Sequence, residues 1–163
     1  MTNDIQLRDV IAADLPIFFE QQLDAEANHM AAFTSRDSTD RRAFMAHWGR
    51  ILGDAALTKQ TILAGDQVAG YIVAFELFGD LSVGYWLGRA YWGQGVATRA
   101  LAAFLRQVPA RPLHARVAKH NHGSIRVLEK CGFAIVGEDR WPADEHGDGG
   151  EEWILTLAAG TLG

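Results

Sequence analysis

The chain is short of several things, and each shortage removes a class of function. Its 163 residues include one cysteine, Cys131. That excludes an internal disulfide framework and a four-cysteine zinc site, and it points to a reducing compartment. No run approaches 18 apolar residues, and the opening Met1-Thr2-Asn3-Asp4-Ile5 has no basic segment followed by an apolar one. Neither membrane insertion nor secretion is expected, and the cytoplasm is the expected location. Lys and Arg total 15 against 20 Asp and Glu, a net charge of -5, without the clustered cations of a nucleic-acid surface. His114, His120 and His122 lack the ligand spacing of a zinc site, so no metal is expected. No repeat, low-complexity tract or linker divides residues 1–163, which are expected to form one domain. At 48% hydrophobic and 21% charged, the composition is that of an ordinary globular chain.

What is present is concentrated between Gly84 and Phe104. An apolar stretch ends in Trp92-Gly93-Gln94-Gly95-Val96-Ala97, and Ala97, Leu101, Phe104, Leu105 and Val108 then recur at helical spacing. Glycines before a helix start let the backbone approach a ligand. The free N–H groups of Gln94 to Thr98, with the helix dipole, make an anion site suited to phosphate. A dinucleotide loop needs a third glycine where Thr98 stands and an acidic residue about 20 positions on; both are missing. A phosphate-loop nucleotide binder needs a following Lys-Ser/Thr, which is also missing.

In order, Ile5 to Val10 reads as a strand. Asp14 caps a helix with Pro16 in its first turn and Leu15, Phe18, Phe19 and Leu23 inward. Residues 24–34 lack a clear period. Ser38 or Thr39 caps a second helix carrying Phe44, Trp48, Ile51 and Leu52 and stopped by Gly53; Trp48 reads as core. Thr58 to Ala64, Gln67 to Phe78 and Leu81 to Gly88 read as antiparallel strands turning at Gly65-Asp66 and Gly79-Asp80. The second of these is apolar on both faces, as in a covered, central strand. After the glycine-started helix come a strand (Leu113 to Ala118), a helix capped by Asn121 and ended by Gly132, and two strands, Phe133 to Arg140 and Glu151 to Leu157. The expected fold class is α/β (α+β), a mixed, mostly antiparallel sheet of about seven strands with helices on both faces.

Two stretches resemble one family. Trp92-Gly93-Gln94-Gly95-Val96-Ala97 is similar to the coenzyme A pyrophosphate loop of the GNAT superfamily of N-acetyltransferases, Arg/Gln-x-x-Gly-x-Gly/Ala, with Trp92 at the Arg/Gln place. Its Tyr-Trp-Gly-x-Gly form resembles the branch that acetylates ribosomal-protein N-termini. Asn121-His122-Gly123-Ser124-Ile125-Arg126-Val127, followed by Gly132-Phe133, resembles the family's Asn-x-x-Ala/Ser-x-x-Val/Leu and Gly-Phe. The resemblance spans roughly residues 60 to 158 and fades towards the N-terminus. It implies acetyl-coenzyme A as co-substrate and a sheet splayed between Leu81–Gly88 and Leu113–Ala118 to admit pantetheine. It also implies a primary amine as acceptor, either a small molecule or a protein N-terminus. Homodimers are frequent in the family.

Acetyl transfer from a thioester to an amine requires a held and polarised thioester, a neutral amine and a proton for the leaving thiolate. The expected cofactor-binding residues are Trp86, Leu87, Trp92, Gly93, Gln94, Gly95, Val96, Ala97, Thr98, Asn121 and Ser124. A backbone N–H at Trp86 or Leu87 would polarise the carbonyl. The family's usual Glu has no counterpart in Leu81–Gly88, and its usual Tyr falls on Leu128. His120, whose residue type titrates near neutrality, is the candidate base, with Glu76 second; the plain alternatives are a surface histidine and a solvated hairpin residue. Ser124 is the candidate thiolate donor, with Asn121 positioning pantetheine or a water; the plain reading of Ser124 is a helix-cap residue. Cys131 reads as buried, not nucleophilic. Asp144, Glu145, Asp148, Glu151 and Glu152 form an acidic run expected to steer cationic amines modestly. The rival reading is a non-catalytic acyl-coenzyme A-binding regulatory or sensor domain.

Overall fold

The structure, a computed structural model, describes residues 4–24, 39–142 and 149–159. Within them, β1 (Ile5–Asp9) leads through a 3-10 turn (Ala12–Asp14) to α1 (Leu15–Gln22), and α2 (Arg41–Gly53) follows. Next come β2 (Thr58–Ala64), β3 (Gln67–Leu77), β4 (Asp80–Leu87), a 3-10 turn (Arg89–Tyr91) and α3 (Val96–Gln107). The chain continues as β5 (Leu113–Ala118), α4 (His122–Lys130), β6 (Ala134–Trp141) and β7 (Gly150–Leu157). The strands form one seven-stranded sheet in the order β1-β2-β3-β4-β5-β7-β6. Every neighbouring pair is antiparallel except β4 and β5.

Helices cover both faces, as the patterning predicts. On one face Val96, Ala100, Leu101, Phe104 and Leu105 of α3 and Leu128 of α4 are buried in the main core with Ile62, Ile72, Val83, Leu113, Leu155 and Leu157 of the strands. The buried stripe of α3 begins at Val96 and Ala100, with Ala97 only half-buried, because the helix starts immediately after Gly95. On the other face α1 and α2 close a smaller core. There Phe18, Trp48 and Tyr71 meet with ring centroids 4.8 to 5.1 Å apart. Trp48 is buried there, as its helical spacing predicts.

Several local expectations are corrected. Asp14 precedes α1, but its carboxylate makes no side-chain cap bond to that helix. It accepts instead from the Ile11 N–H (3.0 Å), from both Arg8 guanidinium nitrogens (2.7 and 2.8 Å) and from Thr61 Oγ1 (2.6 Å). The cap of α2 is Asp40, accepting from the Ala43 N–H at 3.0 Å, in place of Ser38 or Thr39; Ser38 and residues 25–34 lie outside the described residues. The β3–β4 turn is Phe78-Gly79, both at positive φ (52° and 84°), while Asp80 pairs with Leu77 as the first residue of β4. Gly132 ends α4 at φ 99°, as expected.

Candidate active site

The loop before α3 owes its shape to two glycines at positive φ, Gly93 (74°) and Gly95 (77°), a region crowded for residues with a Cβ. The turn is held from within. Gln94 Nε2 donates to the Ala90 carbonyl at 2.7 Å, and the Arg99 side chain returns to the carbonyls of Gln94 (3.2 Å) and Gly95 (3.3 Å). Val96, Ala97 and Thr98 are the first three residues of a 12-residue helix, so their N–H groups have no acceptor within it. They carry the positive end of its dipole, a placement suited to a pyrophosphate. A Cβ at Gly93 would meet nothing within 4 Å, so this side of the loop is open.

Trp92 has a different place from the other loop residues. Its indole N–H donates to the Leu87 carbonyl at 2.9 Å and its ring packs half-buried against the main core. It fastens the loop to the end of β4 through the strand edge that faces away from β3. This is a reason for an aromatic N–H donor where the family pattern has Arg or Gln.

β4 and β5 run parallel and share a single bridge, Ser82 with His114. Past that bridge, towards Leu87 and Ala118, they do not pair, which is the splay the resemblance implies. β3 holds the opposite edge of β4 throughout, from Leu77–Asp80 to Gly70–Leu87. The Gly88 N–H donates to the Ala69 carbonyl on β3 at 2.8 Å. Alternation along a strand then turns the Trp86 N–H towards β3 and the Leu87 N–H towards the opening. Of the two backbone donors expected, Leu87 has the geometry to meet a carbonyl lodged in the splay. The Trp86 indole N–H is buried without a hydrogen-bond partner.

α4 begins beside the open end. Asn121 Oδ1 accepts from the Ser124 N–H at 3.2 Å, so the Asn cap fixes the backbone under the Ser124 side chain. Ser124 Oγ lies 2.9 Å from the hydroxyl of Tyr85 on β4. Burial pushes the Tyr85 phenol up to about 12, with the Ser124 hydrogen bond acting the other way. Leu128 is buried in the main core, so the family's tyrosine place is filled by packing. Cys131 is buried as expected; burial pushes its thiol up, and its Sγ lies 3.7 Å from the Thr98 carbonyl, linking α4 to α3.

His120 is exposed in the turn between β5 and α4, next to Asn121. Glu76 is not brought to the site. It pairs with Leu81, six residues before Leu87, which puts it roughly 20 Å along the strand from the open end. His114 sits at the closed end, 3.0 Å from Thr156 Oγ1. Among the described residues no group of three His, Cys, Asp or Glu could hold a metal ion.

The acidic run is also corrected. Glu152 lies on β7, fully buried, with Arg116 donating to its Oε1 at 2.6 Å and to Asp139 at 3.0 Å. Glu151 faces Arg140 (3.4 Å) and Lys119 (3.8 Å). Two charges of the run are therefore neutralised within the sheet; Asp144, Glu145 and Asp148 lie outside the described residues.

Tyr85 is the site residue that motif reading misses. A signal existed: alternation puts it on the same face as the apolar Val83 and Leu87, where a phenol shielded from water needs a hydrogen-bond partner.

A splayed mixed sheet with a phosphate-suited helix start at its open end is the architecture the resemblance implies, and sequence comparison agrees with it. Residues 4–134 match the model of the acetyltransferase (GNAT) domain, and the chain belongs to that family of N-acetyltransferases. The match reaches further towards the N-terminus than the two motifs do. Comparison with curated protein sequences finds no match. The fold is similar to that of RimL, a ribosomal alpha-N-protein acetyltransferase in complex with coenzyme A (19% identity, 97% of this chain and 95% of that one, TM-score 0.79). It is also similar to Mycobacterium smegmatis RimJ in complex with CoA-disulfide (22%, 95% and 82%, TM-score 0.76). A third neighbour is spermidine N-acetyltransferase from Vibrio cholerae in complex with CoA and spermine (13%, 94% and 95%, TM-score 0.76). No helix among the described residues is long and apolar enough to cross a membrane.

Proposed function

We propose that the protein, as a single domain, transfers an acetyl group from acetyl-coenzyme A to a primary amine by direct attack. The observation that carries this reading is the single Ser82–His114 bridge between β4 and β5, which leaves the far ends of the two strands unpaired, with the α3 N-terminus and the Ser124 hydroxyl on the elements that follow them. Acetyl-coenzyme A would bring the activated thioester. The N–H groups of Gln94 to Thr98 hold the pyrophosphate, the Leu87 N–H polarises the thioester carbonyl, and Ser124 donates to the departing sulfur. His120 takes the amine's proton, directly or through water, since an alkyl ammonium must be neutralised before it can attack. Cys131, a buried free thiol, suits a reducing compartment, and the cytoplasm is our assignment. Protein N-termini and polyamines are acceptors of the neighbours named above, and either class fits a primary-amine site.

A thiol-release screen over N-terminal peptides, polyamines and amino sugars tests the reading. Turnover with at least one primary amine is expected. Tight acetyl-coenzyme A binding with no turnover across the panel would favour the non-catalytic acyl-coenzyme A sensor, a reading supported by Leu128 and by the lack of a carboxylate in Leu81–Gly88. With an acceptor in hand, His120→Gln is expected to lower kcat by on the order of 100-fold with little change in KM for acetyl-coenzyme A; an unchanged kcat would reject His120 as the base.

A further inference from the structure

The hydroxyls of Tyr85 and Ser124 meet at 2.9 Å across the open end of the splay, joining β4 to α4 over 39 residues of chain. Each partner is immobilised from elsewhere. Tyr85 is packed into the main core between the sheet and the two helices. Ser124 is fixed at its backbone by Asn121. What remains free at Ser124 is the direction of its hydroxyl hydrogen. A serine hydroxyl has one donor and two acceptor sites, so an oxygen that accepts from a neighbouring phenol must aim its own hydrogen elsewhere.

We propose that Tyr85 is a positioning residue for the transfer: its O–H donates to Ser124 Oγ and thereby turns the Ser124 O–H towards the sulfur of the acyl donor. The inference rests on the acetyltransferase reading above and adds a residue to it. In the step it serves, the amine nitrogen forms a bond to the thioester carbon, and the C–S bond breaks with its electron pair on sulfur. The sulfur takes the Ser124 hydrogen as Ser124 takes one from a water; the proton lost by the amine goes to the base, which returns it to that water through solvent, so one proton has moved in net from nitrogen to sulfur. Tyr85 keeps its own proton throughout. In this arrangement its O–H is committed to Ser124 Oγ, and it is Ser124 that faces the sulfur, so Tyr85 is a standing donor and not a proton source. The other titratable group acting on Tyr85 is Cys131, at the end of α4, whose thiol burial pushes up and keeps neutral near pH 7.

A double-mutant cycle of Tyr85→Phe, Ser124→Ala and the pair tests this. Tyr85→Phe is expected to lower kcat about tenfold, the scale of a charge-assisted hydrogen bond, with little change in KM for acetyl-coenzyme A. In the Ser124→Ala background it should cost nothing further, because a residue that acts through Ser124 has nothing left to position. The ratio of desulfo-coenzyme A to coenzyme A dissociation constants, followed by calorimetry from pH 6 to about pH 10, gives a second readout without an acceptor. In the parent protein the ratio should rise towards the alkaline end of that range, as the coenzyme A thiol ionises. Both single variants and the double should flatten that rise equally. The proposal is overturned if the two substitutions multiply, if Tyr85→Phe leaves both kcat and the ratio unchanged, or if it raises affinity and rate, as removal of a latch would. If the parent turns over no amine, the catalytic reading fails while the affinity ratio still decides what Tyr85 does.

Discussion

Asp14 and Glu152 are both buried carboxylates facing an arginine, and their surroundings push them in opposite directions. Burial raises the Asp14 carboxyl, but the hydrogen bonds from Arg8, Thr61 and the Ile11 N–H outweigh it and hold the group below the usual carboxylate range. For Glu152, burial outweighs the Arg116 bond and Asp139 adds to it, so its carboxyl lies above its ordinary value, with Oε2 lacking any partner. The pH dependences therefore differ in sign. Asp14 contributes stability that is present above the unfolded Asp value of about 3.9 and is lost as pH falls through its lower folded value. Asp14→Ala should cost about 2 kcal/mol near pH 7, below the range for a fully buried pair because the Arg8 side chain is 36% exposed. That difference should shrink in acid, as read by urea unfolding at pH 7 and pH 3. Glu152 carries a penalty that is absent below the unfolded Glu value of about 4.3 and grows as pH rises through its higher folded value. Glu152→Gln keeps an acceptor for Arg116, so its stability relative to the parent should rise between pH 4 and pH 7. A falling difference would show that Arg116 holds Glu152 ionised at a net gain.

The β3–β4 hairpin carries the clearest demand of any element. A Cβ at Gly70 would stand 1.9 Å from the Trp86 carbonyl oxygen, and since that neighbour is backbone the strands would have to part. Gly70→Ala should cost about 3 kcal/mol or more and weaken coenzyme A binding, because Leu87, its register partner, carries the donor that faces the splay. Gly84→Ala is the control: its Cβ would touch only the Phe75 ring edge at 3.4 Å, and calorimetric affinity should be near that of the parent. This contact between distant backbones is invisible in sequence, whereas the elements governed by local chemistry were readable. The Gly93 and Gly95 turn, the Asn121 cap and the Gly132 stop stand where their residue types put them, because caps and positive-φ positions are decided within a few residues. The β3–β4 turn lies one residue before the Gly79-Asp80 pair that residue type predicts: Phe78 takes a left-handed conformation that its Cβ disfavours, 73% exposed under the Arg116 guanidinium at 4.8 Å. Asp14 and Glu152 depart from expectation for the same reason that Tyr85 escapes motif reading, since their partners Thr61, Arg116 and Ser124 lie 36 to 47 residues away. Spacing finds the shape of an element; the identity of a long-range partner depends on which strands become neighbours.

Across the whole molecule, the sheet is two ladders joined by one bridge, Ser82 with His114. What holds β1–β4 to β5–β7–β6 is the shared main core: Leu101, Phe104 and Leu128 of α3 and α4 lie against Ile62 and Ile72 on one side and Leu113 and Leu155 on the other. Apolar packing of this kind is indifferent to hydrogen-bond direction, so the splay leaves backbone groups at the end of β4 for a ligand to meet. A pantetheine chain, with its amides, would supply the missing rungs between the two ladders. Acetyl-coenzyme A at 100 times its Kd should therefore stabilise the protein by about 2.7 kcal/mol, raising Tm by roughly 5 to 10 °C. Amide exchange of Tyr85 and Leu87 should slow beyond the change seen at the α3 N-terminus. Desulfo-coenzyme A should do nearly as well, because it keeps the amides. ADP, which can fill only the helix mouth, should bind more weakly and leave exchange at Tyr85 and Leu87 unchanged. Equal protection of those two amides by ADP would mean that the phosphate loop alone orders the end of β4, and that the splay contributes nothing to recognition.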